Sequence, residues 1–405
     1  MRVRAFFLGQ LEERMVGTKL TPFHDWLVEL RRCFHEYPEL AYQEQKTAAK
    51  VAEVLDSLDV SYTREVGKTG VVASLAAKQP GPTLALRGDM DALPLTEANN
   101  VPYKSKAPGL MHACGHDAHI TMLLGTIRWL IENNWPETGQ GKIIFLFQPA
   151  EEGGAGAKAM LESGILDSED IRAIFAAHMH PELPLGQIGL ARGVSNAASA
   201  SVRIRLVGRG GHGAHPHLCA DPIVAGACLI TEMQSIISRN ISPLDSAVLT
   251  IGRFQAGTAS NIIPQEALLE GTLRTLSEGV YGIVEKRLQE MVAALESTHG
   301  VSGELTLTPG YPLLVNDESV FEFCMKQSSD FLGESEVKIE TPRMGAEDFA
   351  FFLQKYPGAM IRLGCHDPQA GYRYGLHSPH FDFDERALDI GVQLFVKFLT
   401  AWGRG

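Results

Sequence analysis

The chain has 405 residues and a formal charge of −12 at pH 7, long enough for one to three domains with a large apolar core. The acidic balance argues against nucleic acid or an anionic membrane as a partner, and no apolar run of about 18 residues offers a membrane span. Six cysteines lie scattered without CxxC spacing, which fits free thiols in a reducing cytoplasm better than a disulfide framework.

The opening stretch MRVRAFFLGQLEERMVG has basic residues and a short apolar patch. Acids interrupt the patch and no small-residue cleavage site follows, so no signal peptide is expected. Residues 22–58 read as a helix broken at Pro38. TLALRG (83–88) is an apolar strand run, 117–133 has helical periodicity, and KIIFLFQPA (142–150) is continuous enough for a strand buried on both faces. Residues 156–163 read as helix and AIFAAHMH (173–180) as another buried strand. This alternation predicts a parallel or mixed sheet with helices on both sides. After about residue 195 the pattern changes to strand (199–208), helix (221–239), strands (247–254 and 267–275), helix (278–298) and strand (303–308), the ferredoxin-like order. The α/β pattern resumes from about 310 and closes on a helix at 385–402. The expected organisation is therefore one domain in two parts, 1–194 and 310–405, with a second domain, 195–309, inserted. Period-two strands in the insert imply one covered and one open sheet face, suited to pairing with another copy.

Polar clusters fall at strand ends, where open α/β sheets build their sites. Arg87-Gly88-Asp89-Met90-Asp91 follows TLAL, Gln148-Pro149-Ala150-Glu151-Glu152-Gly153-Gly154 follows IIFLF, and His178-Met179-His180-Pro181 ends AIFAA. His112-Ala113-Cys114-Gly115-His116-Asp117-Ala118-His119 adds a thiol and three imidazoles. Such a collection suits a hydrolytic metal site with a bridging anion, neutral or anionic ligands and an open position for water. Adjacent glutamates can divide the work, one binding metal and the other removing a proton. The residues alone do not choose among His112, His116 and His119, nor between His178 and His180. Glu151 and Glu152 also read as an acidic pair at a helix N-terminus, Asp89 and Asp91 as loop caps, Arg274 as a surface cation and His377 as a loop histidine before Ser378-Pro379.

The chain resembles the metal-dependent amidohydrolases that include hippurate hydrolase, N-acyl-amino-acid deacylases, N-acetyldiaminopimelate deacetylase, plant auxin-conjugate hydrolases and thermostable carboxypeptidases. The likeness runs through HEYPELAYQE (35–44), RGDMDALP (87–94), HACGHDAH (112–119), QPAEEGGAGA (148–157), AHMHPELPLG (177–186), GRGGHGAHPH (208–217), NIIP (261–264), MGAEDFAFF (344–352) and LHSPHFDFDE (376–385). It implies a zinc-exopeptidase-like three-layer α/β/α catalytic domain with an inserted ferredoxin-like lid or dimerisation domain. It implies two divalent ions: Cys114 as bridging thiolate, His116 and His178 completing one shell, Glu152 and His377 the other. Zinc suits these donors, with manganese, cobalt and nickel as alternatives. Glu151 matches the general base and Asp91 a carboxylate that orients a ligand imidazole. His212 resembles a residue that reaches a partner subunit's site and steadies the oxyanion, and Asn261 and Arg274 resemble groups that hold the substrate carboxylate.

The implied reaction is amide hydrolysis of N-acyl or N-aroyl amino acids in a homodimer or homotetramer, with a carboxypeptidase or dipeptidase as the alternative. A thiol enzyme built on Cys114 and a metal-binding protein without turnover are the rivals. His215 and His217 blur which imidazole of the 208–217 motif acts. Cys365 or His366, in a loop expected near the site, is taken to shape the acyl or leaving-group pocket.

Overall fold

The structure, a computed structural model, describes residues 22–402; the stretch that argued against a signal peptide lies outside them. Among the described residues no helix is long and apolar enough to cross a membrane. The chain divides into two compact units. One runs to Gly193 and resumes over Asn316–Glu340 and from Phe351 on; the other comprises Val194–Val315 and Thr341–Ala350. The second is wider than the 195–309 expected, because Arg343 is tied by backbone hydrogen bonds to Ser195 and Ala197.

The first helix, α1 (Pro22–Glu36), buries Leu27, Leu30 and Phe34 at helical spacing and stops short of Pro38, as the residue before a proline disfavours helix. Helix α2 (Gln45–Ser57) follows; the Glu39 carboxylate accepts from the first-turn N–H groups of Lys46 and Thr47 at 3.2 and 2.9 Å. A hairpin unforeseen from sequence comes next, β1 (Tyr62–Val66) and β2 (Gly70–Ala76), turned through Gly67 and Lys68, both at positive φ. Then come β3 (Gln79–Asp89), α3 (His116–Glu132), β4 (Gln140–Gln148), α4 (Gly156–Glu162), β5 (Ile171–Pro184) and β6 (Ile188–Ala191).

The second unit holds β7 (Ala198–Val207), α5 (Pro222–Ser235), β8 (Ala247–Ala256), β9 (Glu266–Thr275), α6 (Glu278–His299) and β10 (Ser302–Pro309). They form an antiparallel sheet of order β8-β9-β7-β10, the ferredoxin-like arrangement. Ala200, Val202, Ile204 and Leu206 of β7 are buried while Ser201, Arg203 and Arg205 are exposed, so one face carries the core with α5 and α6. Asp221 caps α5 through its carboxylate, and Pro222 sits at its first position.

On return to the first unit, α7 (Glu318–Leu332), β11 (Val337–Glu340), β12 (Gly358–His366) and α8 (Arg386–Ala401) complete an eight-stranded mixed sheet of order β1-β2-β4-β3-β5-β12-β6-β11. Its central strands are buried along nearly their whole length, which explains their unbroken apolar runs. Register decides what meets what. Asp89 pairs with Gln148, so the loops after β3 and β4 start side by side. Arg87 pairs with Ala176, which brings His178 level with Asp89. β5 does not end at His180 as the sequence suggested; pairing with β12 carries it to Pro184.

Candidate metal centre

Cys114 and His116 flank the start of α3. Gly115 between them holds φ +85°, and a Cβ there would meet the Met179 side chain at 2.9 Å, so only glycine lets this loop approach β5. Donor atoms of Cys114, His116 and His178 lie within 4.8 Å of one another, as do those of Cys114, Glu152 and His377. The five side chains named as ligands are thus brought together as two triads that share the Cys114 sulfur.

Hydrogen bonding distinguishes several of the histidines that sequence left open. His116 donates from Nδ1 to the Asp91 carbonyl at 2.8 Å, leaving a buried Nε2 without a hydrogen-bond partner. His178 donates from Nδ1 to the Met179 carbonyl at 2.9 Å and turns Nε2 toward Cys114 Sγ at 3.6 Å. An imidazole whose Nδ1 is tied to a carbonyl presents a lone pair on Nε2. Desolvation pushes His178 down to about 4, so it is neutral, as a ligand must be. His119 has nothing to spare: Nδ1 meets Asp89 at 2.5 Å and Nε2 accepts from Met179 N at 3.0 Å. His112 is buried with both ring nitrogens unbonded, and burial pushes it down to about 3; it falls in neither triad.

The glutamate pair is not in the first turn of a helix. It occupies a tight turn, and α4 begins only at Gly156. Gly153 has φ +93° and a Cβ on Gly154 would lie 2.6 Å from that of Ala150, so both glycines are needed. The Asp91 carboxylate accepts from the backbone N–H groups of Glu151 and Glu152 at 3.0 and 2.9 Å, and its Oδ1 lies 3.3 Å from His116 Nδ1. Asp91 therefore braces both the imidazole and the glutamates. Donor atoms of His116, Glu151 and Glu152 also lie within 4.8 Å of each other. His377 stands 3.2 Å from Glu152, and this contact offsets burial to hold the Glu152 carboxyl below its ordinary range. His377 has φ +62°, worth roughly 1–2 kcal/mol of strain for a side-chain-bearing residue, and its N–H bonds the Ala113 carbonyl at 2.8 Å, tying its loop to that of Cys114.

Behind the centre lies a charge network that sequence reasoning missed. Arg31 is fully buried and donates to Asp117 at 2.8 Å, Asp382 at 3.0 Å and Glu385 at 3.3 Å. It joins α1 to the first turn of α3 and to the loop after His377. Burial alone would raise the Asp117 carboxyl, but Arg31 and His35 hold it well below the usual range. Arg87 similarly binds Gln148 and Asp89, each at 2.7 Å. An arginine in a segment read only as a helix carries no mark of burial in the sequence.

His212 and Asn261 belong to the second unit, are exposed, and sit on adjoining segments: Ile262 pairs with His212, and Gly213 N donates to the Asn261 carbonyl at 2.8 Å. Arg274 lies near the far end of β9, roughly 25 Å at strand spacing from Glu266, the end of the strand that follows Asn261 in the chain. His215 and His217 are exposed beside His212, in ring contact at 6.1 Å with each other. Cys365 is fully buried in the core of the first unit, which pushes its thiol up to about 12. It is a packing residue and not a pocket wall, which leaves only the part-exposed His366 for that role.

Two triads of thiol, imidazole and carboxylate sharing one sulfur match the donor preferences of divalent transition ions. The Nε2 of His116, buried without a hydrogen bond and 3.4 Å from the Asp89 carboxylate, is the kind of group that a cation would satisfy. Burial pushes the Cys114 thiol well above its ordinary range, so its ionisation calls for a positive charge at the sulfur.

Comparison with known proteins agrees with this chemistry. Residues 85–401 match Peptidase family M20/M25/M40. The chain is 39% identical over 401 residues to "IAA-amino acid hydrolase ILR1-like 4" of Arabidopsis thaliana, covering 98% of this chain and 90% of that one. It is 40% identical over 378 residues to an N-acetyldiaminopimelate deacetylase of Bacillus licheniformis, covering 93% and 98%. The crystal structure of the YXEP protein of Bacillus subtilis, described as a dinuclear metal-binding peptidase, superposes with a TM-score of 0.80 at 32% identity, covering 93% and 97%.

Proposed function

The chain belongs to peptidase family M20/M25/M40 and is a metal-dependent hydrolase; on that premise we propose that it cleaves the amide bond of N-acyl or N-aroyl amino acids. The observation that carries this reading is the placement of Glu151. Its carboxylate lies within 4.8 Å of donor atoms of His116 and Glu152, beside the two triads that share Cys114, where a general base can reach a water held between the ions.

Cys114, His116 and His178 would hold one divalent ion and Cys114, Glu152 and His377 a second, zinc by donor type with manganese, cobalt or nickel as alternatives; when bound, they supply Lewis acidity at the scissile carbonyl and lower the pKa of a water. Glu151 would take a proton from the attacking water and deliver it to the leaving amine. Asp91, through its bonds to Glu151 N, Glu152 N and His116, would keep base and ligands in register. His212 would donate to the oxyanion, and Asn261 and Arg274 would hold the substrate carboxylate.

The separation of Arg274 from Asn261 supports a site shared between copies, with the second unit (195–309 at its sequence-expected limits) as the dimerisation domain of a homodimer or homotetramer. Its open sheet face and exposed Val248, Phe254 and Ile262 suit that role. Cysteines that are all free support a cytoplasmic setting.

The test is a panel of N-acetyl amino acids, N-benzoyl amino acids and dipeptides, assayed on metal-stripped protein resupplied with each cation. Metal-dependent turnover of the acylated amino acids is expected. Turnover confined to dipeptides replaces the proposal with a dipeptidase. Activity that survives chelation but not alkylation points to the thiol enzyme, and metal binding without turnover anywhere on the panel to a binding protein.

A further inference from the structure

Residues 38–44, PELAYQE, have no part in the roles above, yet they grip both acidic loops of the centre. The Glu39 carbonyl accepts from Ala92 N at 2.8 Å, directly after Asp91. The Tyr42 hydroxyl donates to the Gly154 carbonyl at 2.7 Å. The Glu44 carboxylate, completely buried, accepts from Ala150 N at 2.8 Å through one oxygen and from the Thr69 hydroxyl at 2.5 Å through the other. Three successive N–H groups, of Ala150, Glu151 and Glu152, therefore end on two buried carboxylates, Glu44 and Asp91.

The turn that carries the base is not one its own residues favour. Ala150 and Ala155 both lie in the left-handed region, at φ +56° and +54°, which alanine avoids when unconstrained. Such a conformation persists only where its surroundings over-determine it. Here the surroundings are Glu44 at one end of the turn and Tyr42 at the other. Both oxygens of Glu44 are already committed to Ala150 and Thr69, so it offers neither a metal site nor a second base. Its bonds, like that of Tyr42, go to main-chain atoms bracketing Glu151.

We infer that Glu44 and Tyr42 are positioning residues for Glu151: they fix the 150–154 turn so that the carboxylate of the base is held in one orientation. The inference rests on the reading of Glu151 as the base. A base displaced by about 1 Å can cost on the order of 10²-fold in rate without any change in substrate affinity, so the loss falls on kcat.

The experiment uses the full chain loaded with zinc and the best N-acyl amino acid of the panel. Tyr42→Phe, Glu44→Ala and Glu44→Gln are compared for kcat, KM, metal content and Tm, with Glu151→Gln as control. Tyr42→Phe removes one hydroxyl on a partly exposed ring and is expected to lower kcat about 10-fold with KM within about two-fold of wild type, at full metal content and unchanged Tm. Glu44→Ala is expected to lower kcat about 10²-fold. Glu44→Gln should recover most of that loss, because its amide oxygen can accept from Ala150 N while its NH₂ donates to the Thr69 hydroxyl. Since Tyr42 acts through geometry, the acid limb of the kcat–pH profile should not move in Tyr42→Phe. Should Glu44→Ala fail to fold, Tyr42→Phe decides alone. The inference is overturned if Tyr42→Phe keeps wild-type kcat, if losses in kcat merely follow losses of metal or of Tm, or if Glu44→Gln is no better than Glu44→Ala. The two readings separate in the control: an active Glu151→Gln removes the base itself, whereas an inactive Glu151→Gln beside a fully active Tyr42→Phe removes only the positioning role.

Discussion

The residues gathered around Cys114 and those around His212 are built on opposite terms. In the first unit the rings of His116, His119 and His178 are tied by hydrogen bonds, Asp89, Asp91 and Glu151 are buried, and five ligand side chains from distant stretches meet within one chain. In the second unit His212 and Asn261 stand in solvent at one end of a strand whose other end carries Arg274. Preorganisation is complete in the one and unfinished in the other. A cluster assembled within one unit can bury most of its donors; exposed groups such as His212 and Asn261 are open to whatever approaches them.

Removing the shared sulfur is the hardest blow to the finished half. Cys114→Ala is expected to lose bound metal by elemental analysis and all turnover with it; full metal retention would break the reading of two triads. Next in size, Glu151→Gln should keep its metal and lose about 10²–10⁴ in kcat. His212→Ala should keep metal and fold and lose roughly 10²–10³. Co-expressing these last two inactive chains sharpens the comparison directly. If His212 serves the other copy, mixed dimers regain one intact site; no recovery would return His212 to its own chain.

Stability should separate the two regions as well. Arg31→Met strands three carboxylates around a buried pocket and is expected to cost about 3–5 kcal/mol in denaturant unfolding, whereas Arg205→Ala, which breaks the exposed pair with Glu266 in the second unit, should leave Tm where it was. A small, pH-dependent effect lies at His24, whose hydrogen bond to Asp389 raises its pKa. A raised folded-state value means the stabilisation is fully present below the ordinary histidine value near 6.5 and is lost as pH rises through the folded value. The Tm advantage of wild type over Asp389→Asn, a few degrees at most, should therefore shrink on going from pH 6 to alkaline pH; an advantage that grows would reverse the assignment.

Sequence carried the frame of both regions. The continuous run at 142–150 and the period-two strands of the second unit are direct prints of burial on two faces or one. The hairpin at 62–76 left no such print, because its turn uses Lys68 at φ +85° in place of an Asn-Gly signal. The end of β5 was misread because prolines at 181 and 184 look like stops, while pairing with β12 carries the strand on. The five ligands were named through family likeness, but choosing His116 over His112 and His119 on physical grounds needed partners that sequence cannot place: the Asp91 carbonyl, Asp89 and Met179 N. Glu44 shows the same limit, since its motif was visible while its partners sit 25 and 106 positions away.

One feature of the large sheet governs how this protein comes into being. β5 and β6 are neighbours in sequence, yet the slot between them is filled by β12, which the ribosome delivers only after the entire second unit, roughly ten to thirty seconds later at ordinary elongation speeds. Until then a fourteen-residue strand with an apolar run at its centre, Ala173–Ala177, offers a bare edge to any passing chain. During that interval the unpaired edge is open to mispairing, which a chaperone would suppress.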